Sequence, residues 1–253
     1  MSLRRTKDLN DFTIAATDAD IGSAYDLYFD DETWTIRYIV VETGVILSGH
    51  KVLISPLALR QAAMRELHIW VNLTWKQVDA SPSFDLDKPV SRQHEINYHD
   101  HYGWPYYWEG DGVWGSSSRP QDLARKTQDK PKTLKKKNSG DTHLRSTRQV
   151  DGYHVMGKDG EIGHVEDFLF DDESWQIRYA IVDTRNWWPG KRVLLRPQWI
   201  KRVSTQSKEL YVDMSRETIK ESPQWDPNQP VNRKYELRLH KYYGSPPYWT
   251  SEQ

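Results

Sequence analysis

The chain consists of two gapless copies of one sequence unit. Residues 21–38 return at 162–179, a shift of 141 residues, and the same shift still relates Tyr107-Trp108 to Tyr248-Trp249. Agreement over this distance without an insertion indicates a duplicated domain, because the repeats of a solenoid are far shorter than this period. Each copy is long enough to bury a core of its own and is expected to fold separately.

The segment between the copies differs from both of them in composition. Residues 109–141 are rich in Gly, Ser, Pro, Lys, Gln and Asp and poor in apolar residues. Such a segment cannot offset the entropy cost of ordering, so the sequence predicts a flexible polar linker between repeat 1 (1–108) and repeat 2 (142–253). Its run Lys135-Lys136-Lys137 is either solvated or a contact for nucleic acid or an acidic surface.

The composition favours a polar protein that works through its surfaces. Twelve Trp and fourteen Tyr stand against five Phe, and indole and phenol groups suit half-buried contact positions. The chain has no Cys, which excludes disulfides, thiol nucleophiles and thiolate metal sites. A formal net charge of −1 gives no whole-chain reason to expect nucleic acid or an anionic membrane. Because no apolar stretch reaches signal-peptide or membrane-span length, we expect a cytoplasmic protein without membrane insertion.

Alternating apolar residues in each copy predict a small β-barrel. In repeat 1, residues 27–29 alternate apolar and polar, a turn follows at 30–33, and the alternation resumes over 34–40. Apolar residues also occupy the opposite face of this second strand, which is typical of a central barrel strand. Further short strands at 52–54 and 69–73 complete the pattern, and repeat 2 has the same features.

A short helix and an aromatic tail follow the barrel in each copy. Ser91 and Asn232 are expected to cap the helix, and Gly103 and Gly244 to end it. Between the caps, a semi-apolar stripe recurs at spacings of three and four. The Tyr and Trp residues beyond the glycine are expected to fold back onto their own repeat. The predicted fold class is therefore mainly β, with two small barrels that are each followed by a helix and an aromatic tail.

These motifs resemble the PRC-barrel family in both copies. They are the Ile-Gly turn at Gly22, Asp26 before the hairpin, the Ile-Arg-Tyr strand, and the Gly-Lys-Arg-Val-Leu-Leu-Arg-Pro stretch that ends at Pro197. The resemblance covers 12–81 and 153–222. The family is similar to the cytoplasmic part of the H subunit of purple bacterial photosynthetic reaction centres and to the C-terminal domain of a ribosome-maturation factor. It implies a bacterial, partner-binding β-barrel without a known active site.

Two clusters contain residue types that suit metal ions, and both favour another interpretation. The carboxylates of Asp30-Asp31-Glu32 and Asp171-Asp172-Glu173 lie at hairpin tips, where they are well solvated, and no calcium-loop spacing accompanies them. His99 and His101 point apart on a helix, so pairing of His99 with Glu95 is favoured over zinc or nickel binding. We therefore expect neither a metal nor a cofactor.

The remaining charged residues do not assemble into a recognisable active site. Arg37 and Arg178 lie in mid-strand and are expected to meet acidic neighbours such as Glu42 or Asp183 across the sheet. No Ser-His-Asp set, phosphate-binding glycine loop or pair of catalytic carboxylates can be assembled from the sequence. We therefore expect no enzyme activity.

Apolar residues at two turn tips form the candidate interface. Repeat 1 has Ile46 and Leu47, and repeat 2 has Trp187 and Trp188, in segments that Gly and Pro mark as turns. Exposed apolar tips usually mark contacts, so we expect the two repeats, or two chains, to pair through them. The alternative is that these residues plug the mouth of their own barrel.

The expected function is a non-catalytic protein-interaction or scaffolding module whose protein partner the sequence does not identify. The alternative is RNA or ribosome-assembly binding, with phosphate contacts from Lys135, Lys136 and Lys137. An unrecognised enzyme is the third hypothesis. A basic barrel face would favour RNA, whereas a buried polar pocket with perturbed titratable groups would favour catalysis.

Overall fold

The computed structural model describes residues 2–10, 12–44, 50–82, 84–86, 89–126, 143–184 and 191–250. The strands are β1 (Leu3–Arg5), β2 (Thr13–Ala15), β3 (Asp20–Asp30), β4 (Thr35–Thr43), β5 (Lys51–Ile54), β6 (Leu59–Arg65), β7 (His68–Val71), β8 (Leu144–Ser146), β9 (His154–Gly157), β10 (Gly160–Asp171), β11 (Ile177–Asp183), β12 (Arg192–Leu195), β13 (Ile200–Ser204) and β14 (Glu209–Val212). The helices are α1 (Trp75–Asp79), α2 (Arg92–Tyr102), α3 (Pro120–Lys126), α4 (Thr147–Val150), α5 (Arg216–Glu221) and α6 (Arg233–Tyr242). None of the helices in these ranges is long and apolar enough to cross a membrane.

The chain divides into two compact units whose boundaries cross those of the sequence copies. Unit 1 comprises Met1–Ser2, Thr6–Arg148 and Asp171–Gln176, and unit 2 comprises Leu3–Arg5, Gln149–Phe170 and Ile177–Gln253. Unit 1 therefore contains β8, which comes from the second copy, and unit 2 contains β1, which comes from the first. Each unit has one seven-stranded sheet, so the predicted mainly β class is confirmed.

The sheet of unit 1 has the order β5-β4-β3-β2-β7-β6, with β8 paired to β3. β3 and β4 form the expected hairpin, with Tyr28 opposite Tyr38. β4 is buried on both faces apart from Glu42, as expected of a central strand. β2 and β7 are parallel, whereas the other pairs are antiparallel. The hydrogen-bonded path has two free ends, at β5 and β6, so within the described residues it does not close into a barrel.

The sheet of unit 2 repeats this organisation. Its order is β12-β11-β10-β9-β14-β13, with β1 paired to β10. β9 and β14 form the parallel pair. A core cluster of Leu169, Ile181, Leu194, Leu239 and Tyr248, together with Tyr179 and Trp225, joins the sheet to α6 and the tail. The helix and tail of this unit therefore complete its core.

A glycine permits close strand contact near the start of the long strand in each unit. A Cβ atom on Gly22 would lie 2.1 Å from the carbonyl oxygen of Glu42, and one on Gly163 would lie 2.1 Å from that of Asp183. No side chain can be accommodated at this distance. The Ile-Gly pair of both copies, expected as a turn, lies within β3 and β10, and its glycine has a steric cause.

The helix caps predicted from the sequence are confirmed. Ser91 Oγ accepts from the backbone N of His94, and Asn232 Oδ1 accepts from that of Tyr235. Gly103 has φ 68° and Gly244 has φ 62°, the left-handed conformation that ends a helix at glycine. The tails beyond these glycines fold back onto their own units, and they bury the rings of Tyr107 and Tyr248.

The described part of the expected linker, 109–126, is packed. Trp114 is fully buried, and its indole Nε1 donates to the carbonyl of Ser174 at 2.7 Å. The carbonyl of Val113 accepts from Arg37 Nη1 at 2.6 Å, and α3 follows. A few anchoring residues thus order a segment of polar composition. Residues 127–142 lie outside the described ranges.

Candidate functional site

The candidate interface residues lie outside the described parts of the chain. These residues are Ile46, Leu47, Trp187 and Trp188, and the same is true of Lys135, Lys136 and Lys137. The described residues do form a buried polar network beneath the helix and tail of each unit. This network is the candidate site.

In unit 1 the network joins α2 to β4 and to the tail. Glu95 and His99 lie one turn apart on α2, and both face Tyr38 of β4. Tyr38 Oη is 3.0 Å from Glu95 Oε1 and 3.1 Å from His99 Nε2. Tyr107 Oη donates to the same Glu95 oxygen at 2.5 Å, and Arg92 Nη1 lies 2.6 Å from Glu95 Oε2. The expected pairing of His99 with Glu95 therefore runs through a tyrosine hydroxyl.

Burial determines the protonation of this network. Glu95 and His99 are both 0% exposed. Loss of solvation raises the pKa of Glu95 to about 7, although the Arg92 guanidinium opposes the shift. Loss of solvation also lowers the pKa of His99 to about 3, so the imidazole is neutral at neutral pH. These are the perturbed groups expected of a catalytic pocket, but no solute can reach either one unless α2 or the tail moves.

Arg37 borders the network and meets an acidic neighbour on the adjacent strand, as expected, but this neighbour is Asp30 and not Glu42. Arg37 Nη2 lies 3.5 Å from Asp30 Oδ2, and its guanidinium is 4.0 Å from the centre of the Tyr107 ring. Glu42 instead pairs with Lys51 at 2.8 Å. Arg37 lies at a β-bulge, where Tyr28 pairs with Tyr38 and Phe29 pairs with Ile36, so it has no opposite residue on β3.

Unit 2 contains the same network. Tyr179 Oη is 3.1 Å from Glu236 Oε1 and 3.2 Å from His240 Nε2. Tyr248 Oη donates to Glu236 Oε1 at 2.9 Å, and Arg233 Nη1 lies 3.2 Å from Glu236 Oε2. The duplicated sequence thus places a Glu, a His, two Tyr and an Arg in equivalent contacts in both units.

Arg196 distinguishes the second network from the first. It occupies the position of Ser55, 141 residues earlier in the sequence. Its Nη1 lies 3.2 Å from His240 Nδ1 and donates to the carbonyl of Pro246 at 2.8 Å. In unit 1 the histidine Nδ1 itself contacts the equivalent carbonyl, that of Pro105, at 2.8 Å. Burial, followed by the Arg196 charge, lowers the pKa of His240 to about 4.

Asp26 forms a second buried cluster in unit 1. Its carboxylate accepts from Ser146 Oγ at 2.5 Å, from Thr147 Oγ1 at 3.0 Å, and from the backbone N of Arg148 at 3.2 Å. It also accepts from the backbone N of Leu27 at 2.7 Å. Burial raises the pKa of Asp26. Since Ser146 lies 120 residues further along the chain, no local pattern could indicate this cluster.

Two of the three carboxylates at the hairpin tip of unit 1, Asp30 and Asp31, contact nearby groups, whereas Glu32 is 67% exposed as expected of a hairpin tip. Asp30 is 8% exposed, and its Oδ1 accepts from the backbone N of Glu32 and of Thr33. Asp31 Oδ2 lies 2.8 Å from Arg145 Nε. Among the described residues, no group of three His, Asp or Glu side chains is placed to hold a metal ion.

Unit 2 also has a cavity of about 320 Å³ beside α5. Its lining combines Ile162 and Ile219 with three acidic and three basic side chains, and Lys191 is one of the basic ones. Burial lowers the pKa of Lys191. The mixed charges select no ligand class, and neither Glu236 nor His240 lines the cavity.

Comparison with known proteins finds one domain family that matches part of the second copy. The PRC-barrel domain family matches residues 145–219, a stretch that begins in β8 and ends in α5. No curated protein matches the chain. The matched stretch includes β9 to β14 and therefore every strand of the unit 2 sheet except β1. The chain thus contains a PRC-barrel domain at residues 145–219.

Proposed function

We propose that the chain is a tandem PRC-barrel protein that acts as a non-catalytic protein-interaction or scaffolding module in the cytoplasm of a bacterium. The match at 145–219 carries the proposal, and the gapless duplication extends it to the first copy. Repeat 1 then spans 1–108 and repeat 2 spans 142–253, with 109–141 connecting them. Shape and surface chemistry, not a reaction, would be the source of function in such a protein.

The buried networks support a structural use of the titratable groups. Glu95 and His99 contact the sheet and the tail of their own unit, and neither is accessible. Their hydrogen bonds join the helix and tail to the strands of the sheet. The surfaces outside this network then remain as the functional part of each repeat.

The proposed contact surface consists of the apolar turn tips Ile46, Leu47, Trp187 and Trp188. Duplicated domains retain the surface through which an ancestral dimer paired, and a two-fold contact uses the same patch on both partners. We therefore propose that the repeats pair within one chain or between two chains through these residues. The two tryptophans are the expected energetic anchors.

Replacing Trp187→Ala together with Trp188→Ala tests the pairing. We expect self-association, measured by sedimentation, to weaken by about 2 kcal/mol or more, because a central interface tryptophan commonly contributes that much. The thermal melt of the individual units should stay nearly unchanged. Trp70→Ala is the matched control, since Trp70 is a 37% exposed tryptophan on β7. A lowered melt of unit 2 with unchanged association would assign the rings to its core and contradict the pairing.

Affinity purification of the intact chain, with and without nuclease, tests the class of partner. We expect specific proteins to be retained in both conditions, and to be retained equally by a variant with Lys135, Lys136 and Lys137 replaced by Ala. Retention of RNA that is lost in this variant would instead establish the nucleic-acid hypothesis.

A further inference from the structure

The contacts of His99 determine where the hydrogen atoms of the unit 1 network lie. A carbonyl oxygen can only accept, so the 2.8 Å contact between His99 Nδ1 and the Pro105 carbonyl requires a hydrogen on Nδ1. In a neutral imidazole Nε2 is then an acceptor, and Tyr38 Oη must donate to it. Tyr38 has a single hydroxyl hydrogen. Its contact with Glu95 Oε1 therefore needs another hydrogen, which a protonated Glu95 supplies.

The unit 1 network thus contains one proton more than a carboxylate and a neutral imidazole would. If this proton moves from Glu95 to His99, Tyr38 Oη donates to Glu95 and accepts from His99, and the number of protons in the network is unchanged. Tyr107 donates to Glu95 in both arrangements, and Arg92 faces the other carboxyl oxygen. Burial raises the pKa of Glu95 and lowers that of His99, which favours the proton on the carboxyl group.

The unit 2 network has the opposite hydrogen arrangement. Arg196 can only donate, so its contact with His240 makes Nδ1 an acceptor. The hydrogen of the neutral imidazole is then on Nε2 and is donated to Tyr179 Oη. Tyr179 in turn donates to Glu236, which is complete as a carboxylate. Ser245 Oγ is the remaining neighbour of Nδ1, at 3.4 Å. Every contact is satisfied without an additional proton. The guanidinium of Arg196 supplies the hydrogen between the histidine Nδ1 and its neighbour, whereas in unit 1 this hydrogen is on Nδ1 itself.

We propose that the two networks differ by one bound proton, so that acid releases α6 and the tail of unit 2 while α2 and the tail of unit 1 stay docked. The difference originates in one position of the duplicated sequence, Ser55 in the first copy and Arg196 in the second.

Proton counting gives the direction of the effect in unit 2. An undocked histidine takes up a proton below about pH 6.5. Docked His240 is held neutral because Arg196 faces Nδ1 and Tyr179 occupies Nε2; it titrates only at its lowered pKa of about 4. The undocked state binds more protons between these values, so docking weakens about tenfold per pH unit as the pH falls. The other charged or titratable neighbours are Glu236 and Arg233 on α6, and Tyr248 with Arg178 above its ring.

In unit 1 the same count gives no pH dependence over most of this range. Undocked His99 gains a proton below about pH 6.5, but an undocked glutamate has lost its proton above about pH 4.3. The docked network keeps one proton on Glu95 throughout, because the pKa of that carboxyl is raised to about 7. Both states therefore bind one proton, and docking is independent of pH. The remaining neighbours are Tyr38, Tyr107 and Arg92, with Arg37 above the Tyr107 ring.

Nitrogen NMR of the imidazole rings in the intact chain tests the hydrogen arrangement directly. We expect the Nδ1–H form for His99 and the Nε2–H form for His240 at about pH 7, with the signals assigned from His99→Gln and His240→Gln variants. The same form in both rings would overturn the proposal. The two forms are read from the unaltered protein, and the variants serve only to assign its signals.

Backbone hydrogen exchange tests the acid response. Between about pH 6 and pH 5, and after correction for intrinsic exchange rates, protection of α6 should fall by close to tenfold while that of α2 stays constant. In Arg196→Ser the second network acquires the residue of the first, so His240 should change to the Nδ1–H form and α6 should lose its pH dependence. An α6 slope that survives this substitution, or equal slopes in α2 and α6 of the unaltered protein, would overturn the proposal.

Discussion

At the residue scale, the buried side chain of Asp26 joins three segments of unit 1 through hydrogen bonds. One buried carboxylate receives hydrogen bonds from β3, from the end of β8 and from the first turn of α4. Negative charge is stabilised at the N-terminus of a helix, where backbone N–H groups have no partner of their own. Asp26 supplies that charge from a distant part of the chain, so its contribution is to tertiary structure.

Asp26→Ala should therefore destabilise unit 1 strongly. The substitution removes the acceptor of donors on Thr147, which is buried, and on Ser146 and Arg148, and we expect the free energy of unfolding to fall by about 3 kcal/mol. Denaturant unfolding of the intact chain measures this loss. The matched control is Glu42→Ala on the neighbouring strand, which breaks only the exposed pair with Lys51 and should cost about 0.5 kcal/mol or less. Equal effects of the two substitutions would show that the Asp26 contacts contribute little.

At the element scale, α2 and α6 are held by the residues that point inward, not by helix propensity. Each helix is short, so its stability depends on packing against the sheet. The buried Glu and His provide polar contacts that no apolar residue could replace without leaving the Tyr hydroxyl of the sheet without a partner. The tail then covers the same residues from the other side.

Tyr248→Ala tests how much the tail contributes in unit 2. Tyr248 belongs to the core cluster with Leu239 and Leu194, and its hydroxyl donates to Glu236. Truncation should lower the free energy of unfolding by about 3 kcal/mol or more, and should remove the exchange protection of α6 first. Tyr242→Ala is the control. Tyr242 lies on α6, whose exchange protection is measured, and its side chain is 38% exposed. If both variants unfold alike, the tail is not part of the core.

Sequence reasoning succeeded where the determining contacts are local or periodic. The β3–β4 hairpin and the helix caps follow from alternation and from capping residues within a few positions. Only part of the contact of Glu95 and His99 with Tyr38 could be predicted. The spacing along the helix identifies the two helix residues, but it does not identify the strand residue that they meet. The role of Arg196 could not be predicted, because it depends on the histidine and the tail carbonyl both lying within reach of one guanidinium. β1 and β8 are three residues long and carry no periodic signal.

At the scale of the whole molecule, each sheet contains one strand from the other sequence copy. β8, from the second copy, pairs with β3 in unit 1, and β1, from the first copy, pairs with β10 in unit 2. The register places Ser146 opposite Tyr28 and Leu144 opposite Asp30. Because of this reciprocal exchange, neither unit is complete without residues from both sequence copies.

Separated halves of the chain test this dependence. Fragments 2–126 and 143–253 each lack the exchanged strand of their own unit, and the first also lacks the partners of Asp26. We expect each fragment alone to melt at a lower temperature than the same unit in the intact chain. Mixing the two should restore the melt and produce a complex in sedimentation. Fragments that melt at the intact temperatures and do not associate would show that the exchanged strands add no stability.

The pairing of β1 with β10 has a consequence during synthesis. The backbone N of Ser2 donates to a carboxyl oxygen of Asp172, 170 residues away, so β1 leaves the ribosome long before the segment that it meets. At roughly 5–20 residues per second, about 10 to 30 s separate the emergence of the two segments. During that interval β1 has unpaired backbone N–H and C=O groups, and so does the edge of β3 that awaits β8. The nascent first copy therefore has open strand edges while other chains are being synthesised on the same messenger RNA. We expect strand β8 or β10 of such a neighbouring chain to compete for these edges with the strand of the same chain.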